Sequence, residues 1–91
     1  MSAPAEFSVY VGDVLWSDGV TESEVEQYVR SAGAGTAEER FGHYLDPASD
    51  EVQATAPEGG LVGEWEVVVE PLERGRVESV VVRVERVGGG L

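Results

Sequence analysis

His43 is the single histidine of the chain, and any general acid–base chemistry would begin with it. Asp46 and Asp50 follow closely, so a carboxylate that orients a histidine base is near in sequence. The chain has no cysteine, and no serine stands in the G-x-S-x-G pattern of a nucleophile elbow. We therefore interpret His43 as a partly exposed strand residue, and we expect a protein without catalytic residues.

A divalent-ion loop is the second chemistry that the carboxylates suggest. Asp46, Asp50 and Glu51 lie within DPASDE, but an EF-hand loop alternates its oxygen donors around a central glycine and ends on a distal glutamate. DPASDE lacks that spacing. The glycine-rich stretches 33–35 and 88–90 do not have the lysine of a phosphate loop either. The sequence predicts no metal and no cofactor.

Charge is the strongest feature of the composition. The 91 residues include 18 acids and 6 basic residues, and the net charge is −12. A GC-rich genome or adaptation to molar salt explains an acidic surface without lysine. Mimicry of nucleic acid, in which the acidic surface blocks a basic site on another protein, is the alternative. Direct binding to nucleic acid or to an anionic membrane is disfavoured, because both need clustered lysine and arginine.

The start of the sequence and its apolar runs bear on localisation. MSAPAEFSVY has neither the charged region nor the apolar region of a signal peptide. No apolar run approaches the ~20 residues that span a bilayer. We expect a soluble protein of the cytoplasm or of a virion, without disulfides.

The N-terminal half predicts one strand followed by one helix. Phe7, Val9 and Val11 alternate with polar residues, which indicates a strand over 6–16, followed by a turn at 17–19. Thr21 and Glu24 have the spacing of a capping box, so we place a helix at 21–32 that ends at Gly33.

The middle of the chain is ambiguous. Residues 36–46 fit either a second capping box on a short helix, from Thr36 to Glu39, or an alternating strand. We prefer a strand at 39–45. A further short strand is expected at 51–56, before the loop PEGG.

Residues 63–87 predict a hairpin with Arg74-Gly75 as its two-residue loop. That loop sets three apolar pairs on the core face, which are Trp65–Val84, Val67–Val82 and Val69–Val80. On the opposite face it sets Glu66 against Arg83 and Val68 against Val81. The arginines of this stretch would then be cross-strand partners of its glutamates.

These elements predict an α+β domain over 6–87, between flexible ends at 1–5 and 88–91. Its single, mostly antiparallel sheet would have about five strands in the order β-α-β-β-β-β, with the helix packed on one face. The other face would stay uncovered, which favours an oligomer or a larger assembly.

We therefore expect a non-enzymatic interaction or assembly protein, such as a small structural component of a virion or of another multi-subunit particle, from a high-GC or halophilic source. The alternative is an acidic inhibitor that mimics nucleic acid. Its partners would be proteins, including copies of itself, and neither nucleic acid nor membrane. The candidate partner-binding residues are Trp16, Asp18, Glu22, Glu26, Val68 and Val81.

Overall fold

A computed structural model of the protein describes residues 6–71 and 75–87. Its elements are β1 (Glu6–Val11), β2 (Val14–Thr21), a 3₁₀ turn (Glu22–Glu24), α1 (Val25–Phe41), β3 (Val52–Thr55), β4 (Gly63–Val69) and β5 (Glu78–Val87). The predicted α+β class is confirmed: one antiparallel sheet has the strand order β2-β1-β5-β4-β3, and α1 packs on it. The predicted flexible ends, 1–5 and 88–91, lie outside the described residues.

The predicted strand 6–16 is two strands. Gly12, with φ of +60°, and Asp13 form a two-residue loop that folds β2 back on β1. Gly12 allows this reversal because it lacks the Cβ that disfavours positive φ. The predicted turn at 17–19 is wrong, because these residues belong to β2, where the register shifts in a bulge. The order of elements is therefore β-β-α-β-β-β.

The predicted helix begins where expected but is longer than expected. The capping box is formed, with the Thr21 N–H donating to Oε1 of Glu24 over 3.3 Å. Gly33 does not end the helix, because α1 continues to Phe41 and stops at Gly42, whose φ is +76°. The reason is packing: Gly33 lies against the sheet in the helix interior, and this contact outweighs its low helix propensity.

The strand preferred at 39–45 is also wrong. Its first residues complete α1, and Gly42 donates its N–H to the Glu38 carbonyl over 2.8 Å, as in a left-handed helix cap. Thr36 is not a second cap, because its hydroxyl donates to the Ala32 carbonyl inside the helix. The strand expected at 51–56 is confirmed as β3, which pairs with β4.

The β4–β5 hairpin has the predicted faces but not the predicted register. Trp65 pairs with Val82 and Val67 with Val80, a shift of two residues from the expected pairing. A shift of two leaves every side chain on its face, since strand side chains alternate with a period of two. Arg74-Gly75 is not a two-residue loop, because the paired strands end at Val69 and resume at Glu78. Arg74 itself lies outside the described residues.

The core lies between α1 and the inner face of the sheet. The buried apolar side chains of α1 are small, which brings the helix close to the valines of β4 and β5. The C-terminal end of the helix is joined to β5 by an ion pair of 3.0 Å between Arg40 and Glu78. Glu78 also pairs with Arg76 over 2.8 Å. The register sets Arg83 opposite Glu64 rather than the expected Glu66, and the ion pair of Arg83 is with Glu85 of its own strand.

Candidate interaction surface

The strand registers define the surface of the sheet opposite α1, which we call the outer face. Residues of β5 alternate between the two faces, so the residues between buried Val80, Val82 and Val84 point away from the helix. Their partners on β4, β1, β3 and β2 follow from the pairing. The outer face consists of Glu6, Ser8, Tyr10, Leu15, Thr21, Gln53, Thr55, Glu64, Glu66, Val68, Ser79, Val81, Arg83, Glu85 and Val87.

A row of four outer-face residues crosses four strands. Leu15 pairs with Tyr10, Tyr10 with Arg83, and Arg83 with Glu64. The Arg83 guanidinium lies 4.7 Å from the centre of the Tyr10 ring, in a cation–π contact. Its Nε is 2.7 Å from Oε2 of Glu85 in a charge contact that lacks hydrogen-bond geometry. Arg83 is thus held by a neighbour on its own strand and by an aromatic ring on the next.

Glu64 and Glu66 bring two further carboxylates to the outer face, both exposed and both on β4. Glu66 accepts a long hydrogen bond of 3.3 Å from the Ser79 hydroxyl. Successive outward residues of a strand are about 6.8 Å apart, so these carboxylates form an acidic stripe along β4.

Apolar side chains lie on the same face, two of them close to the acidic stripe and Leu15 on the far strand β2. Val81 is 53% exposed although it belongs to β5, the middle strand of the sheet. Leu15 is 49% exposed, and Val68 is half-buried. The predicted pairing of Val68 with Val81 is wrong, since Val68 pairs with Ser79 and Val81 with Glu66. The two valines are diagonal neighbours on the same face.

Asp18 has a structural use that the sequence did not reveal. Its Oδ1 accepts hydrogen bonds from the Ser8 hydroxyl over 2.7 Å and from the Gly19 N–H over 2.9 Å. The Ser8 bond, and then the Gly19 bond, lower the pKa of Asp18. Ser8 is buried on the outer face, so Asp18 ties the bulge of β2 to β1.

Trp16 lies at the rim of the core. A Cβ on Gly35 would be 2.6 Å from Cη2 of Trp16, so the ring of Trp16 packs directly on the helix backbone. The side chain remains 41% exposed, next to exposed Val14. Trp16 thus joins the edge strand β2 to α1 and also shows an apolar surface on the helix side of the sheet.

Glu22 and Glu26 are exposed near the start of the helical segment. Glu26 lines a groove of about 660 Å³ between α1 and the loop before β3. Arg30 holds the far wall of this groove, because its Nε donates to the Pro47 carbonyl over 2.7 Å and its Nη2 to the Ser49 carbonyl over 3.0 Å. The acidic residues are therefore split between this helix side and the outer face.

The residues considered for chemistry have structural contacts. The His43 ring lies 5.9 Å from that of Phe41, at the end of α1. Asp46 shapes its own turn, since its Oδ1 accepts from the Ala48 N–H and its carbonyl from the Ser49 N–H, each over 3.0 Å. Among residues 6–71 and 75–87, no group of three or more histidine, cysteine, aspartate or glutamate side chains is placed to hold a metal ion.

Within the described part of the chain, no helix is both long enough and apolar enough to cross a membrane. Comparison with known proteins finds no match to a family model, to a curated protein or to a solved structure.

Sequence reasoning placed Arg83 on the outer face but missed Tyr10 and Leu15 as members of it, and it missed the contact of Arg83 with Tyr10. The signal for Leu15 was the Gly12-Asp13 turn, which sets it opposite Tyr10. Tyr10 and Arg83 are neighbours because β1 pairs with β5. This pairing joins the two ends of the domain, and no local sequence pattern reveals it.

Proposed function

We propose that this chain is a non-enzymatic interaction protein that binds another protein through the outer face of its sheet. The observation that carries the proposal is the exposure of Val81 in the middle strand. In the described ranges α1 covers only the opposite face, so Val81 and its diagonal neighbour Val68 leave a small apolar patch open on the two strands β4 and β5. Contiguous apolar patches with a rim of polar residues mark interaction sites, and polar side chains of the outer face surround this pair of valines.

The dimensions of the outer face suit this use. Five strands about 4.8 Å apart make it roughly 24 Å wide, and seven paired residues make it roughly 24 Å long. That area is of the same order as the ~800 Å² that one partner contributes to a standard protein interface. A second sheet or a helix layer packs on such a face at about 10 Å.

The setting that we propose is a multi-subunit assembly, such as a virion or another particle, in which a small domain serves as a structural component. The exposed edge strand β2 is a less suitable interaction site than the outer face. The register shifts of β2 interrupt its ladder, and bulges of this kind discourage a further strand from adding to an edge.

Site-specific photo-crosslinking in the cells that produce the protein tests the proposal. A photoreactive phenylalanine analogue replaces Val81 in one variant and Val14 in a matched control, because these valines are 53% and 65% exposed. Val14 of β2 pairs with Val11, on the helix side of the sheet. We expect one discrete adduct from position 81 that position 14 does not give. Equal adducts from both positions, or none from position 81, would contradict the proposal.

A further inference from the structure

We infer that the partner of the outer face is a basic protein surface rather than a second copy of this chain. This inference rests on the proposed function and concerns the same face. It depends on how the charges of the outer face are used within the protein itself.

The one arginine among the outer-face residues is already engaged. Arg83 contacts Glu85 at 2.7 Å and stacks on Tyr10 at 4.7 Å. Two exposed arginines elsewhere, Arg40 and Arg76, pair with Glu78 on the inner side of β5. Exposed Arg86 stands opposite Phe7, which is also on the inner side of the sheet. Glu64 stands opposite Arg83 in the register, but among the described residues neither Glu64 nor Glu66 forms an ion pair, and Glu66 accepts only from the Ser79 hydroxyl.

A partner that covers Val81 must also cover Glu66, because the two are paired across β4 and β5. Burying a carboxylate without a cation is strongly unfavourable, so the partner has to supply positive charge at this stripe. A second copy would instead bring its own Glu64, Glu66 and Glu85 to the interface. Like charges set face to face disfavour that pairing, and the net charge of −12 per copy adds to the repulsion.

The geometry also defines what the partner presents. Glu64, Glu66 and Val68 follow one another at every second position of β4, so they are spaced by about 6.8 Å. The matching surface carries two basic side chains and then an apolar one at that spacing. Alternate residues of a strand have this spacing, and residues four apart on a helix come close to it.

The test uses a synthetic peptide as probe, two tandem copies of Arg-Ser-Arg-Ser-Val with blocked ends, added to the ¹⁵N-labelled protein at low salt. Amide shifts are expected to change at Tyr10, Val68, Val81 and Arg83. The double variant Glu64→Gln/Glu66→Gln should weaken binding about three- to tenfold, the effect expected for two exposed charge pairs. The matched control, Glu22→Gln/Glu26→Gln, removes the same charge from the helix side and should bind like the wild type.

The other results separate the two proposals. Light scattering on the same samples reports self-association. A dimer formed through the outer face at low salt, together with no peptide binding, would overturn the basic partner but leave the interaction face standing. Peptide shifts scattered over all acidic residues, or equal losses in both double variants, would overturn the inference as well. A monomer whose outer-face amides respond to no peptide would overturn both.

Discussion

Gly33 of α1 lies directly over Val67 of β4, with no room between them for a side chain. A Cβ built on Gly33 would be 2.3 Å from Cγ1 of Val67 and 2.5 Å from its Cβ. Both residues are buried at the centre of the helix–sheet interface. This contact sets the distance between the helix and the inner face of the sheet.

Gly33→Ala should therefore destabilise the protein by about 2 kcal/mol, because overpacking a rigid contact outweighs the gain of about 1 kcal/mol in helix propensity. Gly35→Ala is the matched control. Its new Cβ meets the end of the Trp16 ring, which is half exposed on an edge strand and can move aside. Urea unfolding should show a change within about 1 kcal/mol for Gly35→Ala. A similar large loss for both variants would contradict the close contact at Val67.

The Asp18–Ser8 hydrogen bond predicts a dependence of stability on pH. The bond from Ser8, followed by that from Gly19, lowers the pKa of Asp18 in the folded protein. A lowered pKa contributes stability above the ordinary aspartate value of ~3.9, and this contribution disappears as the pH falls through the lowered value.

Asp18→Asn should therefore be less stable than the wild type at pH 7, and the difference should shrink as the pH drops below about 4. Thermal unfolding of both proteins between pH 7 and pH 2.5 measures this difference in stability. Asp13→Asn, in the neighbouring hairpin loop, controls for the loss of one negative charge. A difference that stays constant with pH would show that the carboxylate of Asp18 does not act through this bond.

Arg30 should be needed to order the loop before β3. Its two hydrogen bonds reach the carbonyls of Pro47 and Ser49, and lysine offers a single nitrogen in their place. We expect Arg30→Lys to cost about 1–2 kcal/mol and to accelerate hydrogen exchange at the Val52 N–H, which donates to Ser49. Exchange at Val82, in the core of β5, should rise less. Arg86→Lys is the control and should leave exchange at the Val52 N–H unchanged. An unchanged exchange rate at Val52 in Arg30→Lys would contradict this role of Arg30.

The sequence predicted which side chains of a strand share a face, but it did not predict the register in which two strands pair. The alternation of 65–69 and 80–84 predicted the buried and the outer side of β4 and β5 correctly, including Val68 and Val81. The same pattern could not select the register, because a shift of two residues preserves both faces. The position of the connection decides it, and here the last pair before the connection is Val69 with Glu78.

The errors at Gly33 and at residues 39–45 have a common origin. Glycine-rich segments are poor helix formers in isolation, and the sequence therefore predicted an end to the helix. Contact with Val67 and Trp16 makes glycine favourable at two helical positions, and the helix then continues to Gly42. Such tertiary contacts join residues far apart in the chain and leave no local signal.

The most direct test of the proposed interaction is to repeat the photo-crosslinking at position 81 with altered charges on the outer face. The adduct should be largely lost when Glu64→Gln and Glu66→Gln are added, because the partner then no longer finds the acidic stripe beside Val81. It should persist when Glu22→Gln and Glu26→Gln are added instead. An adduct of equal yield in both backgrounds would contradict the account, because the partner would then bind beside Val81 without using the acidic stripe.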